Sequence, residues 1–177
     1  MAYGDDKPDA GIGGKAASVA GVAGGYVFQR WAGPGFVVPL VIAGIAMFII
    51  HKARPTWGAG LKSALALTVG QLGWFAIGVA FAPAMLGAVA ADMIVGAMLV
   101  LWLFARPGAV PVGLLIAFQS LGLAVNGWTA AGTGLASPAL PAIVTHMLLR
   151  VAIIACSIRY FFERNQRAID TLAEDFA

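Results

Sequence analysis

The sequence predicts an all-α, polytopic membrane helix bundle, and three observations carry that prediction. Apolar residues make up 60% of the 177 residues, charged residues only 11%, and the mean hydropathy is +0.88. The apolar residues gather in five runs close to the ~20 residues that a helix needs to cross a ~30 Å hydrocarbon core. The breaks between those runs hold the prolines, glycines and loop cations that turn a chain at a membrane surface. A soluble domain carries about 25% charged residues, so this chain has too few to coat a water-facing surface, and a soluble enzyme is excluded.

Residues 1–33 form an N-terminal tail. Asp5, Asp6 and Asp9 stand where a secretory signal would carry a basic region, which argues against a signal peptide. From Ala16 to Phe28 the chain is apolar but rich in Gly and Ala, and it ends in Gln29-Arg30-Trp31. That stretch is short for a crossing and predicts a helix lying in the membrane interface.

Five crossings follow within 34–161, at residues 34–50, 61–81, 84–104, 111–130 and 139–161. Proline loses nothing at a helix start, because its missing N–H has no partner there anyway. Pro34, Pro111 and Pro138 or Pro141 therefore mark starts. The connections are short, so neighbours run antiparallel. Lys52, Arg54, Lys62 and Arg106 all flank the breaks after the first and third runs, while the breaks after the second and fourth are uncharged. Because cations stay on the cytoplasmic side, the N-terminus is expected outside and the C-terminus inside, as in a bacterial inner membrane.

The last helix is expected to run on as a cytoplasmic tail over residues 162–177. Ile158, Phe162, Ile169, Leu172 and Phe176 share one stripe, and Arg159, Glu163 and Arg167 share another at i, i+4 spacing. Such a tail can lie on headgroups or dock a partner or sister subunit. The net charge of +3 and a pI near 9.4 come from scattered membrane-flanking cations, so the lipid bilayer is the expected counter-charge and nucleic acid is not. The lone Cys156 sits within an apolar run and reads as a structural thiol.

A faint repeat relates two hairpins: Gln71-Leu72-Gly73-Trp74 and Gln119-Ser120-Leu121-Gly122, followed at equal distance from Pro83 and Pro138 by Asp92-Met93 and His146-Met147. Small residues recur at Ser63, Ala66, Gly70 and Gly73, and at Ala88 and Gly96 around Asp92. Their first meaning is close helix packing, since lipid supplies no hydrophobic drive between helices.

The candidate site is built from polarity inside the apolar runs. Between Lys62 and Arg150 the only charged residues are Asp92 and Arg106, so Asp92 stands alone in mid-membrane, where a charge costs about 3 kcal/mol unless paired, protonated or wet. Counted at ~1.5 Å per residue from the outer ends, Asp92 lies ~12 Å deep, His146 ~10 Å and Arg150 ~16 Å. His146 and Arg150 are one turn apart on one face. Gln119, Gly122, Asn126 and Thr129 form a polar stripe on the fourth run, and Thr68 and Gln71 form another on the second. Asp92, Arg150, His146, Gln119, Asn126 and Gln71 are thus expected to line one internal site, with His146 relaying protons to Asp92.

Motif look-alikes fail. Gly11-Ile12-Gly13-Gly14-Lys15 has Asp9 and Ala16 where a phosphate loop needs glycine and a hydroxyl, and Thr68-Val69-Gly70-Gln71 lies inside a helix where a potassium filter is a re-entrant loop. No metal cluster or catalytic motif is present and two histidines on opposite membrane sides cannot clamp one haem, so neither metal, cofactor nor enzymatic activity is expected. The sequence favours binding or conduction of a small polar solute or ion, possible proton linkage included, in a homo-oligomer or beside other membrane subunits. A non-catalytic accessory subunit of a larger membrane complex is the competing reading.

Overall fold

The computed structural model describes residues 37–133, 137 and 139–175. The interfacial helix expected over 16–28 and the start at Pro34 lie outside the described residues. Five helices follow in order: α1 (Val37–Ala53), α2 (Ala59–Phe81), α3 (Leu86–Ala105), α4 (Ala109–Gly132) and α5 (Leu140–Asp175). A 3-10 turn at Pro83–Met85 leads into α3. No strand occurs among the described residues.

Four stretches are long and apolar enough to cross a membrane: Ala59–Phe81, Pro83–Ala105, Ala109–Gly132 and Leu140–Glu174. The described part of α1 is apolar but 17 residues long, about 25 Å at the helical rise, which falls short of a ~30 Å core. The connections follow the turn chemistry of the sequence. Pro83 opens the 3-10 turn, Pro111 sits in the first turn of α4 and Pro141 in the first turn of α5, each where its missing N–H removes no intrahelical bond.

α2 is the central helix. It packs against α1, α3 and α5, while α4 packs against α5 and α3. Half of its apolar stretch is buried, against less than a third in each of the other three long helices. The small-residue stripe explains the closeness of α1: a Cβ built on Gly70 would strike the Pro39 carbonyl and come within 3.0 Å of the Ala43 Cβ, and one on Gly73 would meet Ile42 at 2.8 Å. At the other interface, a Cβ on Gly60 would meet the Tyr160 backbone nitrogen at 2.6 Å and the Cys156 carbonyl at 2.9 Å. Glycine therefore lets two backbones touch at both contacts.

One end of the bundle carries the loop cations, and they are built into it. Arg54 lies over the rings of Trp57 (5.4 Å) and Phe104 (5.0 Å), tying the α1–α2 loop to the end of α3. Lys62 is buried, and its Nζ donates to the Pro55 carbonyl at 2.8 Å, closing the same loop. The backbone N–H of Gly60 donates to both carboxylate oxygens of Glu163 at 3.2 Å, which satisfies an orphan donor in the first turn of α2 and complements its dipole. α5 continues without a break past this contact to Asp175.

Candidate functional site

Each of four helices contributes one polar group at matching depth. Gln71 reaches in from α2, Asp92 from α3, Gln119 from α4 and Arg150 from α5. Arg150 is 1% exposed and is the largest of the fully buried side chains among the described residues. A buried guanidinium is tolerable only when its donors are matched, and this one is held on two sides. Its Nη2 donates to Asp92 Oδ2 at 2.5 Å and its Nη1 to Gln119 Oε1 at 2.9 Å. Gln119 is fully buried and passes the chain onward, its Nε2 donating to Gln71 Oε1 at 3.1 Å. The Phe118 ring lies 5.8 Å from the guanidinium carbon, a favourable place for a desolvated cation.

Gly122 makes this possible. A Cβ at that position would fall on the Nη1 and Cζ atoms of Arg150, so the absence of a side chain one turn along α4 from Gln119 is the notch that admits the guanidinium. The sequence places Gly122 on the polar stripe, but only the structure shows what occupies the space beside it.

The ion pair is in contact, though not in the two-pronged form that an arginine and a carboxylate can adopt. One nitrogen meets one oxygen, and the Asp92 side chain stays 29% exposed while Arg150 is sealed. Three buried polar atoms of the same region have no hydrogen-bond partner: Arg150 Nε, Gln71 Nε2 and His146 Nδ1. Buried polar groups are ordinarily satisfied, and each exception asks for a physical reason.

Two of the six site residues expected from the sequence do not join the chain of hydrogen bonds. His146 does not meet Asp92. Its ring stacks on Phe75 with centroids 4.7 Å apart and takes the edge of Trp74 at 6.2 Å, because α5 turns this face toward α2 rather than toward α3. Asn126 is half-buried and makes no hydrogen bond to the group. The hydroxyls of Thr68 and Thr129 are used within their own helices, donating to Ala64 O at 2.8 Å and Val125 O at 2.9 Å. Among the described residues no three His, Cys, Asp or Glu side chains are grouped as metal ligands.

Phe118, Phe75 and Trp74 complete the surroundings, and the sequence reading placed none of them in the site, since an aromatic residue in an apolar run carries no signal of what it will touch. No protein-family model, curated protein or solved structure matches this chain.

Proposed function

We propose that this integral membrane protein binds a small polar solute or ion within the bilayer, between Asp92, Arg150, Gln119 and Gln71, with the N-terminus outside and the cation-bearing end in the cytoplasm of a bacterial cell. The observation that supports this reading is the set of leftover polar atoms. Arg150 Nε and Gln71 Nε2 are N–H donors with no acceptor, and leaving a donor unsatisfied costs about 1–3 kcal/mol each. An oxygen-bearing or anionic species at this place would remove that cost. Asp92, bound through one oxygen only, is the group that such a species would displace from Arg150 or share it with.

A second reading has its own support. The closed contact of Asp92 with Arg150 is what a structural clamp between α3 and α5 would use, and a clamp suits an accessory subunit that moves nothing. Reconstitution separates the two. Vesicles holding the chain and a pH-sensitive dye should pass protons, or an imposed chloride or acetate gradient, faster than protein-free vesicles, and Asp92→Asn in a protein that still inserts and folds should abolish the difference. Wild-type vesicles as tight as protein-free ones toward all three species would leave the accessory reading standing.

A further inference from the structure

The hydrogen-bond relay that ends on Arg150 has a fixed direction, and that direction shows what it lacks. A guanidinium only donates, so Gln119 must turn its oxygen to Arg150 Nη1 (2.9 Å) and its nitrogen to Gln71 Oε1 (3.1 Å). Gln71 then accepts with its oxygen and keeps its own amide nitrogen unused. Reversing either amide would set donor against donor, so Arg150 itself dictates which end of each amide points where. Arg150 Nε is unpartnered as well. The groups of the relay left unmet are thus N–H donors, which call for an anion. A cation finds only Asp92 there, and Arg150 already holds its contacting oxygen.

The shape of the donor set narrows the anion. The Nε–H and one Nη–H of a guanidinium lie parallel, a fork that matches the two oxygens of a carboxylate. Asp92 brings one oxygen, to Nη2, and leaves the Nε prong empty.

Charge limits what can enter. Arg150 and Asp92 are neutral as a unit, and one added anion leaves a bare negative charge at mid-membrane depth, where it is expensive. One proton arriving with the anion restores neutrality. Few ionisable groups face this place. Of the helices packed against α3, α4 has none and α2 has only Lys62, in its first turn at the cation-bearing end. α3 has Asp92 alone. α5 adds Arg150, which stays charged, and His146, whose ring lies against Phe75 and Trp74. Asp92 is also the one member of the relay that is not sealed, 29% exposed against 3% or less for Gln71, Gln119 and Arg150.

We propose that the site takes up a monovalent carboxylate together with one proton, as a neutral pair; this rests on the reading that the chain binds a small polar species between these four residues. The incoming carboxylate accepts from Arg150 Nε and Nη2, a proton from water forms an O–H bond on the Asp92 carboxylate, and the Asp92–Arg150 ion pair is the contact that breaks.

Calorimetric titration of the purified full chain with sodium formate, in two buffers of different ionisation enthalpy, counts the protons. Wild type should take up about one proton per formate, and binding should weaken about tenfold for each pH unit between about pH 6 and about pH 8, because a proton is consumed. Folded Asp92→Asn should bind formate with neither proton uptake nor pH dependence, while His146→Gln keeps both. Sodium sulfate, with its second charge, should bind about a hundredfold more weakly than formate. Sodium octanoate presents the same head group from the lipid side. Equal affinity for the two acids supports the pairing with a water-borne ligand, and octanoate bound alone, with a proton, supports it with a lipid-borne one. Formate bound without proton uptake, sulfate bound as well as formate, or uptake lost in His146→Gln and kept in Asp92→Asn would overturn the pairing and leave the binding reading intact. No binding of any of the three salts would remove that reading and the pairing with it. The wild-type proton count needs no variant, so misfolding of Asp92→Asn leaves the test standing.

Discussion

α5 carries two arginine–carboxylate pairs nine residues apart, and they differ in almost everything except chemistry. In the bundle, Arg150 is 1% exposed and reaches across to Asp92 on α3. At the cation-bearing end, Arg159 is 65% exposed and meets Glu163 on its own helix at 2.8 Å. An exposed i, i+4 pair is held by local geometry, competes with water and salt, and contributes a few tenths of a kcal/mol. A buried pair between helices has no solvent to fall back on. Its net contribution is modest when intact, yet loss of one partner leaves a bare charge in a low-dielectric medium. The same side chains thus act as a local staple in one place and as a condition of assembly in the other.

The largest effect should follow from breaking the inner pair on one side only. Asp92→Ala leaves the Arg150 guanidinium buried beside an apolar gap, and unfolding in detergent should show a loss of about 3–5 kcal/mol. The double variant Asp92→Leu with Arg150→Met should recover most of that loss. A double variant as unstable as the single one would mean that the pair itself, and not the unpaired charge, carries the stability.

A middle-sized effect is expected at the notch. Gly122→Ala places a methyl on the guanidinium, which must shift away from Gln119 or Asp92, and overpacking of this kind costs about 1–3 kcal/mol. Unchanged thermal stability would show that Arg150 has room to move, contrary to its sealed position. The smallest effect belongs to the outer pair. Arg159→Ala should lower stability by about 0.3–0.5 kcal/mol in low salt and by nothing measurable in 1 M salt. Glu163 keeps its contact with the Gly60 N–H in that variant, so the measurement isolates the ion pair from the cap.

Much of this was legible in the sequence, and the reasons are physical. The apolar runs became helices because backbone groups in such segments have no partner except their own chain, and prolines and loop cations marked where those helices begin and end. Asp92 and Arg150 could be matched because two unpaired charges at similar depth cost more apart than together. Gln119 and Gln71 followed from their stripes. His146 shows where that reasoning stops. Its spacing to Arg150 places both on one face of α5, but one face of a helix between two neighbours is wide enough to show Arg150 to Asp92 and His146 to Phe75.

Sequence alone thus determined the solvent of this chain, its helices, the charges that need each other and the stripe on α5, since each follows from periodicity, depth or the cost of a bare charge. The tertiary structure decided which helix lies at the centre, that Gly122 is the seat of a guanidinium, and that Glu163 caps α2. Those facts depend on the rotation of each helix about its own axis against its neighbours, a quantity that side-chain packing sets and that no single segment encodes.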